Sequence, residues 1–120
     1  GQLTLACAGH PQPLHIKPSD INYIDVGGIL PGLIDQTGYQ QQQITVKAGE
    51  RIAIYTDGLF ESAVDESSRN ALEQQITKSL HDSLTLELNT ALDTVMTLFD
   101  QLTANQARDD VMLVLMEVTH

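Results

Sequence analysis

The strongest constraint on the fold comes from two short segments that are apolar on both faces. Residues 52–55 are all apolar, and the run at 111–118 is interrupted by a single glutamate. A strand with one solvated face alternates apolar and polar residues, so an unbroken apolar run predicts a strand that is buried on both sides. We therefore expect two central β-strands, at residues 51–56 and 111–118.

The sequence before residue 57 is typical of short strands. Strand-like runs occur at 3–8, 14–17, 22–26 and 43–47, and a glycine-containing loop lies at 27–38. Proline and glycine separate these runs, because proline has no N–H for a ladder and biases the residue before it toward extended backbone. This half of the chain is expected to form strands joined by turns and loops.

Residues 68–104 have a helical periodicity instead. Apolar residues recur at every fourth position in a first group, and in a second group they follow the i, i+3, i+4, i+7 pattern of an amphipathic helix. The first group is Leu72, Ile76 and Leu80; the second is Leu88, Leu92, Val95, Met96, Phe99 and Leu102. Ser67 or Ser68 is the expected cap of the first helix, and Asp82 or Ser83 that of the second.

Composition excludes several classes of protein. The chain has 120 residues, which suits one domain, and its 16 acidic against 6 basic residues give a net charge of −10. So few cations argue against a nucleic-acid or anionic-membrane surface. The apolar runs are shorter than the roughly 20 residues of a membrane span, and one cysteine forms no internal disulfide. We expect an acidic cytoplasmic domain, cut from a longer protein because strand-like sequence begins at once without a methionine.

Three aspartates flank the two apolar runs. Asp57 and Gly58 follow the first run, and Asp109 and Asp110 precede the second. If the two strands are antiparallel neighbours, three carboxylates gather at one edge of the sheet. Such like charges need a compensating cation, and Mg²⁺ or Mn²⁺ binds carboxylate oxygens. An alternative stays open, because Asp-Gly is also a common turn dipeptide and the second pair could be a solvated loop beside Arg108.

The remaining reactive side chains have structural explanations. His10 lies in a turn and is expected to make a structural hydrogen bond, and Cys7 is expected to be a small core residue. The other histidines, His15, His81 and His120, have no ligand-type spacing. Arg108 is expected to pair with Asp109, and Met96 and Phe99 to face the core.

Four segments, taken in order, resemble a known family of enzymes. Residues 5–14, LACAGHPQPL, are similar to its segment NAGHPPPLL, and residues 28–33, GILPGL, to its loop GLPLGL. Residues 48–61, AGERIAIYTDGLFE, are similar to PGDRLLLYTDGLTE, and residues 108–115, RDDVMLVL, to DDDITLVVL. The resemblance is to the C-terminal half of the metal-dependent serine/threonine phosphatases of the type 2C (PPM) superfamily, in its bacterial SpoIIE/RsbU-like group.

The resemblance implies an α+β fold, an antiparallel β-sandwich flanked by helices, with residues 1–120 as the C-terminal portion of one domain. It implies hydrolysis of phosphoserine or phosphothreonine on a protein substrate, in bacterial signalling, by the full-length protein. In the family, two Mg²⁺ or Mn²⁺ ions lower the pKa of a bridging water and neutralise charge on the phosphoryl group.

The resemblance also implies roles for individual residues. Asp57 and Asp109 would be ligands of one metal ion and the catalytic residues, Asp110 would occupy a neighbouring ligand position, and Gly58 would let the backbone lie close to the ion. The family's other metal-binding aspartates belong to an N-terminal half that this sequence lacks. The fragment alone is therefore expected to be inactive.

The implied partner is a phosphorylated protein, in this group often an anti-sigma-factor antagonist, and a receiver or sensor domain is often fused to the phosphatase. The sequence departs from the family pattern at Ala48 and Glu50, and at residues 65–68 after the Asp57 segment. Two other hypotheses stay open. One is a degenerate phosphatase fold that acts as a non-catalytic protein-binding module. The other is an unrelated acidic α+β interaction domain, in which the two buried strands would not lie side by side.

Overall fold

The described residues form six β-strands, three α-helices and one 3-10 turn. A computed structural model describes residues 1–6, 11–25, 41–63, 65–103 and 111–119. The strands are β1 (Gln2–Ala6), β2 (Leu14–Ile16), β3 (Ile21–Tyr23), β4 (Gln41–Thr45), β5 (Arg51–Tyr55) and β6 (Leu113–Glu117). The helices are α1 (Gly58–Glu61), α2 (Glu66–Asp82) and α3 (Leu88–Leu102), and the 3-10 turn (Ser83–Thr85) lies between the last two.

The strands form two antiparallel sheets. β1 pairs with β4, and the larger sheet has the order β3-β2-β5-β6. β5 lies between two neighbours, and four of its five residues are buried. The prediction of a central strand at 51–56 is therefore confirmed, with the strand ending at Tyr55.

The prediction that residues 111–118 form a second central strand is wrong for the described part of the chain. There, β6 is the last strand of its sheet. Leu113 and Leu115 are half-buried on one face, whereas Val114 is 43% and Met116 39% exposed on the other. An apolar run indicates that both faces of the strand avoid water, but it does not show which elements of this chain cover those faces.

The core has two layers because alternate side chains of β5 point to opposite faces of the sheet. One layer lies between the larger sheet and the helices, and the other between the larger sheet and β1 and β4. The buried members of the first are Leu14, Ile16, Ala53, Tyr55, Leu59, Ala63, Leu72, Ile76, Leu80, Val95 and Phe99. The second has Ile24, Val46 and Ile52. A mixed fold of antiparallel sheets with helices on one side results, as expected.

The helical periodicity is confirmed but both predicted caps are wrong. Leu72, Ile76 and Leu80 are buried on α2, and Phe99 is buried on α3 with Met96 packed against the same core. A side chain caps a helix when it stands in extended backbone just before the first turn, where it reaches an N–H three residues on. Asp65 does so for α2 and accepts from the Ser68 N–H at 2.7 Å.

The cap of α3, Glu87, lies four or five residues after the predicted Asp82 or Ser83. Glu87 accepts from the Thr90 N–H at 3.1 Å. Asp82 belongs to the end of α2 and Ser83 to the 3-10 turn, so neither is available to begin a new helix. None of the described helices is both long and apolar enough to cross a membrane.

Candidate functional site

Asp57 lies where β5 ends and α1 begins, with its side chain exposed to solvent. Its backbone is already helical, at φ −53° and ψ −34°. Its carbonyl accepts the N–H groups of Phe60 at 3.2 Å and Glu61 at 3.0 Å. The carboxylate does not cap the helix, and within the described part of the chain no hydrogen bond or ion pair engages it. None of the described residues therefore competes with a cation for its two oxygens.

Gly58 is the buried first residue of α1, and its carbonyl accepts a hydrogen bond from the Ser62 hydroxyl. A hairpin turn at Asp57-Gly58 would need positive φ, and among the described glycines only Gly49 has it, at φ 90°. Asp57-Gly58 therefore does not form a hairpin turn, and the alternative that this dipeptide is only a turn, without a metal ion, stays open. The dipeptide starts a short helix and keeps Asp57 at the surface.

The start of β6 lies beside Asp57. Tyr55 is directly opposite Leu113. At the next position of this antiparallel register, Thr56 and Met112 exchange two hydrogen bonds, of 3.0 and 2.9 Å. The two strands are antiparallel neighbours, as the candidate site requires. The unrelated interaction domain, in which these strands would be apart, loses its support.

Asp109 and Asp110 lie outside the described residues, directly before Val111. Their approach to Asp57 stays a prediction, as does the pairing of Arg108. Within the described ranges no group of three His, Cys, Asp or Glu side chains is close enough to hold a metal ion. Among the described residues, the Asp57 carboxylate suits a hard divalent cation, because its oxygens have no competing partner there.

A cavity of about 280 Å³ adjoins Asp57. Tyr55 and Phe60 line it and stack edge to face, with ring centroids 4.9 Å apart. Arg69 is the only cationic side chain among its described lining residues, and its Nε donates to the Ala63 carbonyl at 3.1 Å. Among the described residues, open space thus lies next to the carboxylate of Asp57.

The phenol of Tyr55 anchors this wall of the cavity. Its hydroxyl donates to the Gln12 carbonyl at 2.6 Å. Burial raises the pKa of Tyr55, and the nearby carboxylates of Glu73 and Asp57 raise it further. The group therefore stays protonated at physiological pH and serves as a hydrogen-bond donor rather than a base.

Sequence reasoning missed a buried pair in the second core layer. His15 has no ligand-type spacing in the sequence, but its Nε2 lies 2.7 Å from Oε1 of Glu50. The same Oε1 also accepts the Lys47 N–H at 3.0 Å. Both side chains are about nine-tenths buried. The residues are 35 positions apart, and no local signal in the sequence links them.

Arg51 was also missed as a structural residue. It begins the apolar strand β5 but is buried, and it donates to the carbonyls of Ser83 and Leu86 between α2 and α3. A single arginine at the start of an otherwise apolar run was the available signal. His81 lies 3.2 Å from the Pro18 carbonyl. The predictions for Cys7, His10, His120 and the loop at 28–33 fall outside the described residues.

Three solved structures share this fold at low sequence identity. The SiaA-PP2C domain of Pseudomonas aeruginosa has a TM-score of 0.78 and 16% identity, covering 98% of this chain and 46% of its own. The RsbU and RsbW domains of a Mycobacterium tuberculosis protein give 0.70 and 21%, covering 96% and 32%. The manganese-soaked phosphatase domain of SpoIIE from Bacillus subtilis gives 0.66 and 17%, covering 100% and 57%.

The chain thus spans between about a third and three fifths of these solved chains. No curated protein sequence is significantly similar to it. The model of the family described as stage II sporulation protein E, SpoIIE, matches residues 1–119, which is nearly the whole chain. Its antiparallel sheets and flanking helices share the fold of the solved PP2C-type domains, and by the family match the chain belongs to the SpoIIE family.

Proposed function

We propose that this chain is the C-terminal portion of a metal-dependent phosphatase domain that removes phosphate from serine or threonine of a protein substrate in bacterial signalling. The observation that carries the proposal is the exposed carboxylate of Asp57 at the end of β5, beside the antiparallel start of β6, in a SpoIIE-family chain. The proposed metal-binding residues are Asp57, Gly58, Asp109 and Asp110, with Asp57 and Asp109 as the catalytic pair.

The proposed cofactor is Mg²⁺ or Mn²⁺, with two ions in the complete domain. The ions would lower the pKa of a bound water, and their positive charge would neutralise the charge on the phosphoryl group. The contribution of Asp57 is to bind one ion with a carboxylate that its strand-to-helix junction holds at the surface. Support for Mn²⁺ comes from the solved SpoIIE phosphatase domain that was soaked with manganese.

The proposed partner is a phosphorylated protein, such as an anti-sigma-factor antagonist. The proposed location is the cytoplasm, and we propose that the full protein also carries a receiver or sensor domain. Family membership supports this proposal. The net charge of −10 agrees with it, because so acidic a domain disfavours nucleic acid and anionic membrane as partners.

Replacement of Asp57 by asparagine tests the proposal in the full protein that carries this chain. Release of phosphate from a phosphoserine protein is measured with Mn²⁺ present. We expect Asp57→Asn to lower the rate by about a hundredfold or more, since losses near metal ligands reach this size. Asp93→Asn is the matched control, because Asp93 is an exposed carboxylate on α3 that does not line the cavity.

Full activity in Asp57→Asn would contradict the proposed role. A wild-type protein that binds its partner but releases no phosphate under any metal would instead favour the alternative, a degenerate phosphatase fold that acts as a non-catalytic regulatory module.

A further inference from the structure

The junction of β5 and β6 contains a hydrogen-bond pair in which a side chain replaces a main-chain group. Thr56 and Met112 continue the register of the two strands and stand opposite each other. In an antiparallel ladder, such residues exchange two N–H···O=C bonds. Here Thr56 N–H donates to the Met112 carbonyl at 3.0 Å, but Met112 N–H donates to the Thr56 hydroxyl Oγ1 at 2.9 Å.

The carbonyl of Thr56 is used elsewhere. It accepts the N–H of Leu59 at 3.0 Å, the first main-chain bond at the start of α1. The chain therefore changes from strand to helix within one residue, and the Thr56 carbonyl turns away from β6. The Thr56 hydroxyl takes the place of the carbonyl as acceptor, so the N–H of Met112 keeps a hydrogen-bond partner.

This pairing matters because of its neighbours along the chain. Asp57 follows Thr56 directly, and Asp110 precedes Met112 by two residues. The side chain of Met112 is 61% exposed, so packing of that side chain contributes little to holding the segment. The two hydrogen bonds to Thr56 are the described polar contacts that fix the start of β6 against the end of β5.

We propose that Thr56 is a positioning residue for the metal site: its hydroxyl holds Met112, at the start of β6, beside the end of β5 that carries Asp57. Met112 follows the proposed ligands Asp109 and Asp110 in the sequence. The proposal rests on the proposed function. Valine has the same shape and also suits a strand, but it lacks the acceptor. Serine keeps the acceptor but lacks the methyl group.

Mn²⁺ affinity is the test, measured by the electron paramagnetic resonance signal of free Mn²⁺ in titrations of the full protein without substrate. We expect Thr56→Val to weaken Mn²⁺ binding about tenfold, as loss of a group that orients a ligand does. Thr56→Ser should stay within about twofold of wild type. Thr45→Val is the matched control, since Thr45 is an exposed strand residue of the other sheet, and its affinity should not change.

The outcomes separate this inference from the proposed function. A wild-type protein that binds no Mn²⁺ overturns the proposed function and this inference with it. Wild-type affinity in a folded Thr56→Val, or equal losses in the valine and serine variants, overturns the inference alone. If Thr56→Val does not fold, amide hydrogen exchange of Met112 is measured instead in the wild-type protein, with and without Mn²⁺. Mn²⁺ should slow that exchange, and an unchanged rate would refute the positioning role.

Discussion

Arg51 and Glu117 form an ion pair across the β5–β6 ladder, with Nη2 of Arg51 3.0 Å from Oε1 of Glu117. The arginine side chain is 1% exposed, and the glutamate is 36% exposed. The same guanidinium donates to the Ser83 carbonyl at 3.0 Å and to the Leu86 carbonyl. One cation therefore links the edge strand, the central strand and the connection between α2 and α3.

Substitution of Arg51 by lysine is expected to destabilise the fold. An ammonium group keeps the charge but does not reproduce the planar set of donors, so at least one buried carbonyl loses its partner. We expect a loss of about 2–3 kcal/mol in the free energy of unfolding, measured by urea denaturation. Arg69→Lys is the control, because Arg69 is exposed, and a loss below about 1 kcal/mol is expected there. Equal losses in the two variants would contradict the structural role of Arg51.

The pair of His15 and Glu50 predicts a dependence of stability on pH. Burial acts to raise the pKa of Glu50, but hydrogen bonds from His15 and from the Lys47 N–H outweigh it, and the pKa lies below the ordinary 4.5. A carboxylate with a lowered pKa in the folded state stabilises the fold above its unfolded pKa. That contribution is lost as the pH falls through the folded value.

Glu50→Gln removes this titration. The variant should therefore lose less stability than wild type as the pH is lowered from 6 to about 3.5, when urea midpoints are compared. Glu61→Gln changes an exposed carboxylate and leaves Glu50 in place, so it should keep the wild-type dependence. If Glu50→Gln shows the same loss as wild type, the pair does not contribute to acid sensitivity.

The cap of α2 gives a prediction that separates the structure from the sequence pattern. Asp65 accepts the Ser68 N–H, whereas the neighbouring Ser67 lies inside the first turn. Asp65→Ala should lower the melting temperature by about 3–6 °C, and Ser67→Ala should change it by less than about 2 °C. Thermal unfolding followed by circular dichroism measures both. A larger effect at Ser67 would show that Ser67 caps the helix, as the sequence suggested.

The exposed face of β6 predicts tolerance to a polar group. Val114 is 43% exposed, whereas Val46 in the second core layer is 7% exposed. Valine and threonine have the same shape, so Val→Thr isolates the effect of a hydroxyl. We expect Val114→Thr to change the free energy of unfolding by less than about 0.5 kcal/mol, and Val46→Thr to cost about 1–3 kcal/mol. Chemical denaturation of both variants checks this, and a comparable cost at Val114 would show that its face is covered.

Much of the candidate site was predictable because it rests on short stretches of sequence. The apolar run before Asp57 predicted the strand, and four segments in order carried the family resemblance that the family match then confirmed. The helix α1 was not predicted, since four residues are too few for a periodicity to appear. The carboxylates of Asp109 and Asp110 remain a prediction.

Local sequence by itself determined where the strands and the two longer helices form, since side-chain periodicity and backbone preference act over a few residues. Tertiary structure alone decided that β6 is the last strand of its sheet among the described residues and that His15 meets Glu50. It also decided that the Thr56 hydroxyl accepts the N–H of a residue 56 positions away. These features depend on strand order and register. Both are set when distant apolar faces pack together, and no short segment of the sequence encodes them.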